Sequence, residues 1–171
     1  MNKRFVTSLL LGSSLALAAC SRNAPEELPP EPTPTPTSPT TGTPTPTGPA
    51  VGSQAHFENA VNGQNVIYFD TDQYDIDSED SAALRTQAGY LNQYPNITVT
   101  VEGHTDERGT REYNLALGER RANAAKNFLV SLGIPESRIR TVSYGKERPV
   151  ALGSNESAWA QNRRAVTVVV N

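Results

Sequence analysis

A single cysteine, Cys20, stands in the 171 residues, so no intramolecular disulfide can form in any redox compartment. Histidine is almost as scarce. His56 and His104 are the only two, and with that lone cysteine they make no set with metal-ligand spacing. His104 stands near Asp106 and several serines, but no nucleophile motif accompanies them, so no catalytic triad is read there. No enzyme activity and no cofactor are therefore expected. No basic stripe interleaved with aromatics occurs either, which argues against a nucleic-acid partner. Long apolar runs are missing beyond the first twenty residues, leaving no candidate for a membrane-spanning helix.

Those first residues, MNKRFVTSLLLGSSLALAAC, carry Lys3 and Arg4, a leucine-rich run, and small residues before Cys20. That is the layout of a secretory signal peptide, too short and too rich in small polar residues to span a bilayer. Leu17-Ala18-Ala19-Cys20 resembles a bacterial lipobox. The resemblance implies cleavage before Cys20 and acylation of it, and two or more acyl chains hold a protein to a membrane stably where one does not. Ser21 is compatible with the outer membrane under the enterobacterial sorting rule, which uses Asp there for inner-membrane retention. Losing residues 1–19 removes Lys3 and Arg4, so 13 of the 15 basic residues remain against 18 acidic ones, a formal charge of −5.

From Pro25 to Pro49 the chain is mostly Pro and Thr, with TPTPT at 33–37 and again at 43–47. Such a segment has almost no apolar area to bury and is not expected to fold. Extended as polyproline II at about 3.1 Å per residue, it reaches roughly 80 Å. Residues 20–55 are read as a lipidated cysteine on a linker, and residues 56–171 as the folded domain.

Within that domain, Asn65–Phe69 is a short strand that runs into the acidic loop DTDQYDID at 70–77. The loop is no EF-hand: counting from Asp70, position 6 is Asp75 in place of Gly and position 12 is Ser81 in place of Glu. A helix over 79–93 follows, capped by Asp77 or Ser78, burying Leu84, Ala88 and Leu91, and stopped by Pro95. Ile97, Val99 and Val101 then alternate with polar residues as a half-buried strand. A polar loop from His104 to Thr110 leads into a second helix that ends at Gly133. Strands at 138–143 and 162–170 complete the order, with a short helical turn at 157–161. The sum is β-α-β-α-β-β, an α+β two-layer sandwich of one mixed sheet and two main helices.

One residue breaks the pattern. Arg121 projects from the second helix between Leu117 and Leu132, on the face that should be buried, and an unpaired buried charge costs several kcal/mol. An internal salt bridge would satisfy it, and so would an anion from outside if Arg121 floors a pocket. In the second case Arg121→Ala could even stabilise the fold. Asp106 lies on a loop at the carboxyl end of a strand, where such sheets usually bind ligands. An Asp and an Arg converging there would suit a zwitterion. Arg163 and Arg164, at the head of the last strand, are assigned to ion pairs with loop carboxylates.

GHTDERGTREYNLALGERRANA (103–124), YFDTDQYDI (68–76) and SYGKERPVALGSNESAWAQNRRAV (143–166) together resemble the OmpA-like peptidoglycan-binding domain. They are similar above all to the lipoprotein members that work with the Tol proteins. The resemblance implies binding to the diaminopimelate of the wall stem peptide, whose free end bears an ammonium and a carboxylate. It gives Asp106 the ammonium and Arg121 the carboxylate, with backbone groups near Asp72 and the side chain of Leu117 completing the pocket. Thr71 stands where the family usually has an aromatic residue, which would make that wall thinner or more polar. Implied partners are peptidoglycan, TolB and other Tol proteins, and the outer membrane through acyl chains on Cys20, with the domain in the periplasm. A protein-binding envelope adaptor is the alternative. Cys20→Ser should leave an unacylated species, and its persistence in outer-membrane fractions at high salt would overturn the anchor assignment.

Overall fold

Alternation of β-branched residues and sharp helix caps build a four-stranded sheet in the computed structural model, which describes residues 48–170. The strands are β1 (Val66–Tyr68), β2 (Thr98–His104), β3 (Ile139–Gly145) and β4 (Arg164–Val170), and the helices α1 (Gln54–Ala60), α2 (Ser78–Gln93), α3 (Arg111–Ser131) and α4 (Glu156–Asn162). A 3-10 turn, Glu136–Arg138, precedes β3. In space the strands run β1-β4-β2-β3. β4 is antiparallel to both β1 and β2, and β2 is parallel to β3, with α3 in the crossover that a parallel pair requires. The α+β sandwich and the two main helices agree with the sequence reading.

The caps explain the helix boundaries. Asp77 accepts the amide of Asp80 at 2.8 Å to start α2, and Thr110 accepts that of Tyr113 at 3.2 Å to start α3. Gly133, at φ +91°, supplies the left-handed residue that ends α3's run. Val99 and Val101 of β2 meet Ala165 and Val169 of β4 in a core closed by Leu84 and Leu91 of α2 and Leu129 of α3. The alternate strand positions Thr100, Glu102, Val166 and Val168 stay half-buried on the other face.

α1 has no counterpart in the sequence reading, and it begins at Gln54, inside the stretch expected to be linker. It is seven residues long and buries only Phe57, so it leaves no periodic signal. Gln54 ties it to β4, its Oε1 accepting the Val169 amide at 2.7 Å.

The feature that positions the site is a close approach of α3 to β2. A Cβ on Gly103 would overlap the Gly118 carbonyl, and a Cβ on Gly118 would collide with the Ser143 hydroxyl. Backbone therefore packs on backbone, and the first turns of α3 lie against the carboxyl end of β2. Arg121, one turn beyond Gly118, is carried beneath the loops that follow β1 and β2. Gly103→Ala should lose about 3 kcal/mol of stability through overpacking. Gly89→Ala, on the exposed side of α2 with open space around it, should gain up to about 1 kcal/mol. Thermal unfolding of the two variants checks this, and equal melting temperatures would contradict it.

Candidate functional site

Arg121 is 0% exposed, the largest fully buried side chain among the described residues. Among the described residues no carboxylate pairs with it. Its guanidinium donates instead to three backbone carbonyls: Nε to Gln73 at 2.8 Å, Nη1 to His104 at 2.9 Å and Nη2 to Asp70 at 3.0 Å. The Phe69 ring, its centroid 5.1 Å away, covers one side. Burial first, and the charge of Arg163 second, lower the guanidinium pKa to about 10, so it remains a cation at neutral pH. The internal salt bridge, one of the two alternatives left open by the sequence, is absent among the described residues. The idea that Arg121→Ala might stabilise the fold fails too, because removing it strips three carbonyls of their donor and opens a cavity. Arg121 clasps the β1–α2 loop to the end of β2. Of five N–H donors it spends three here, leaving two.

Asp106 lies on the β2–α3 loop and is nearly as buried. Its Oδ1 accepts from the Arg108 amide and Arg108 Nε, each at 3.1 Å, and its Oδ2 accepts from Arg108 Nη2 at 2.6 Å. Arg163 Nη1 stands 3.6 Å from the same Oδ2, too far for a hydrogen bond. Burial pushes the carboxyl pKa up, but the Arg108 hydrogen bonds and the charges of Arg108 and Arg163 win and hold it below the usual value. Arg163 also donates to the Phe69 carbonyl at 2.9 Å and to Glu156 at 2.7 Å, an ion pair as expected, though with the first residue of α4 and not with a loop carboxylate. Arg164 differs, since it reaches only the carbonyls of Asn162 and Arg148.

Thr71, Asp72, Asp106, Leu117 and Arg121 come together around one pocket of about 260 Å³. Asp72 adopts φ +58°, and its Oδ1 accepts from the Tyr113 hydroxyl at 3.0 Å. Thr71 Oγ1 accepts from Arg108 Nη2 at 3.2 Å. Leu117 supplies the apolar floor. Cys20 lies outside the described residues. The sequence reading did not single out Arg108, Tyr113 or Trp159. The available signal for Arg108 was its spacing, two residues after a loop carboxylate, which lets a long side chain fold back. A larger cleft of about 580 Å³ lies beyond the β1–α2 loop, lined by Asp75, Ile76, Asp80 and Arg163 among others. Its one cation, Arg163, is paired with Glu156 through Nη2, while its buried Nη1 has no hydrogen-bond partner.

The chain matches the OmpA family over residues 68–163. It is 43% identical over 167 residues to the peptidoglycan-associated lipoprotein of Haemophilus influenzae, across 97% of this chain and 98% of that one. To the peptidoglycan-associated lipoprotein of Agrobacterium fabrum it is 57% identical over 118 residues, which span 69% of this chain and 66% of the relative. The crystal structure of the peptidoglycan-associated lipoprotein from Burkholderia pseudomallei superposes with a TM-score of 0.63 at 45% identity, covering 66% of this chain and 96% of that one. The C-terminal domain of Helicobacter pylori MotB, at 18% identity and a TM-score of 0.58, shares the fold.

His104, whose carbonyl holds Arg121, is itself 2% exposed, and neither ring nitrogen has a hydrogen-bond partner. Burial first, then the charges of Arg164 and Arg148, lower its pKa to about 4. It is therefore neutral at pH 7, and its 3.6 Å approach to Glu102 is no ion pair there. The unfolded ring takes a proton near pH 6.5 and the folded one does not until about pH 4, so folding stability falls across that window. Between pH 7 and pH 5 the loss should be about 2 kcal/mol. His104→Leu should remove that part of the pH dependence, which denaturant titrations of both chains at the two pH values will read.

Proposed function

Because the chain belongs to the OmpA family, among the peptidoglycan-associated lipoproteins, we propose that it binds peptidoglycan non-covalently and tethers the outer membrane to the wall. The observation that carries this reading is the meeting, in one pocket, of a buried carboxylate and a buried guanidinium with two donors to spare. The free end of diaminopimelate presents an ammonium and a carboxylate on one carbon. Asp106 receives the ammonium and Arg121 the carboxylate. The β1–α2 loop around Thr71 and Asp72 offers backbone groups, and Leu117 takes the aliphatic stem. Charge-assisted contacts in a small, partly desolvated pocket are the strong ones.

The tether follows from the rest of the chain. Acyl chains on Cys20 anchor it in the outer membrane, the Pro/Thr segment spans to the wall, and the domain sits in the periplasm. TolB and other Tol proteins are its proposed protein partners, with roles in envelope integrity and division. A pure protein-binding adaptor is the competing reading, and it leaves the spare donors of Arg121 without a use. The domain is proposed to bind and not to catalyse.

Asp106→Asn and Arg121→Gln each leave one charge of the ligand desolvated without its partner, a loss of about 2–5 kcal/mol. Calorimetry against a diaminopimelate-containing stem peptide should therefore show each affinity falling by roughly thirtyfold or more. Asp106→Asn should keep its melting temperature within a few degrees of wild type. Arg121→Ala, by contrast, should also lose about 2–4 kcal/mol of stability through its three abandoned carbonyls and the cavity. Wild-type affinity in Asp106→Asn would end the zwitterion reading.

A further inference from the structure

The pocket's cation seat is already taken. Arg108 forks onto Asp106 through Nε and Nη2, at 3.1 and 2.6 Å, and its own amide adds a third bond at 3.1 Å. A carboxylate has about four acceptor sites, and the remaining one faces Arg163 Nη1 at 3.6 Å. An incoming ammonium therefore finds three acceptor sites of Asp106 filled and the fourth guarded by a second cation while Arg108 stays. The side chain of Arg108 is 40% exposed and that of Asp106 9%, so the guanidinium forms the solvent side of the pair. Nη2 also crosses to Thr71 Oγ1 at 3.2 Å. Arg108 thus straps the β2–α3 loop to the β1–α2 loop across the pocket, above an Arg121 that no solvent reaches.

We propose that Arg108 is a tethered competitor: it occupies Asp106 in the resting protein and must be displaced by the ammonium of the ligand. This rests on the zwitterion reading of the pocket and deepens it. The geometry allows the exchange. The pair is open to water on one side, where ion pairs are weak. Asn114 Nδ2 holds the Arg108 carbonyl at 2.7 Å, so the backbone stays in place and only the side chain needs to swing out.

Displacement also sets specificity. A simple amine replaces one cation on Asp106 by another and gains little. A zwitterion adds a carboxylate for the two spare donors of Arg121, and that second contact tips the exchange. Thr71 contributes by giving the strap its second hold.

The strap lies over Trp159, the guanidinium carbon 4.3 Å from the ring centroid, and Trp159 is the only tryptophan in the chain. Its emission therefore reports the strap's position. In the full chain, a diaminopimelate-containing stem peptide should change Trp159 fluorescence and give a binding curve. Arg108→Gln should bind roughly tenfold more tightly, because no open-state population has to be drawn on first, and should lose most of the fluorescence change. Thr71→Val, which removes one hold of the strap, should shift affinity in the same direction by less. If wild type binds and Arg108→Gln binds equally or more weakly, Arg108 is a ligand contact or a bystander, and the proposal is overturned. If neither chain binds, the zwitterion reading fails and takes this inference with it.

Discussion

A buried guanidinium without a carboxylate partner is the constraint on which the site depends. Taking a cation out of water costs several kcal/mol even after relaxation, and here the return comes from the carbonyls of Asp70, Gln73 and His104. Those carbonyls belong to the β1–α2 loop and to the last residue of β2, and β1 and β2 are not ladder neighbours. The charge therefore does structural work that a neutral side chain of the same size could not. It fixes the β1–α2 loop, including the left-handed Asp72, against the end of β2. The Gly103–Gly118 contact makes this possible by bringing α3 close enough for one side chain to span both.

Using carbonyls instead of a carboxylate has a second consequence. Three partial negative charges satisfy hydrogen bonds without neutralising the cation, so the net positive charge remains for something else. An internal salt bridge would have cancelled it. Around the neighbouring Asp106 the imbalance is reversed in sign, with Arg108 bonded to it, Arg163 close by and the field of Arg121 beneath. These cations hold the carboxyl ionised in spite of its burial. The pocket thus keeps both of its charges at neutral pH, one capped by a movable side chain and one still able to donate.

Much of this was legible in the chain. The two-residue period of Val99 and Val101, the capping Asp77 and the stop signals at Pro95 and Gly133 are local rules, and local rules set element type and ends. The anomaly of Arg121 was legible as well, since a charge on an apolar stripe is visible without knowing what surrounds it. Its partners were not, because backbone carbonyls carry no residue identity. The strap escaped for a related reason: Arg108 reads as one more polar loop residue until the β1–α2 loop is placed opposite it. α1 was missed because a single buried Phe57 makes no period. Sheet order, with β4 inserted between β1 and β2, depends on long-range pairing that no short window contains.

A seat that is full at rest changes what binding to it means. An empty pair of buried charges would carry its desolvation cost in the free protein and would take any small cation or anion that fits. With Arg108 in place, the carboxylate is solvated by the protein itself, and the free state is stabilised against adventitious amines. Affinity is lowered by the same amount, since each ligand must first replace that internal bond. For a domain on a tethered chain, as proposed above, this loss is tolerable. On the proposed tether reading, effective concentration near the wall is set by the length of the linker and not by diffusion from bulk, and a modest intrinsic affinity then suffices for lasting attachment. Weak individual bonds also exchange quickly, which suits the proposed tether to a wall that is being cut and rebuilt. Selectivity has to come from somewhere other than tightness, and in the proposed zwitterion reading the requirement that a ligand bring both charges at once supplies it.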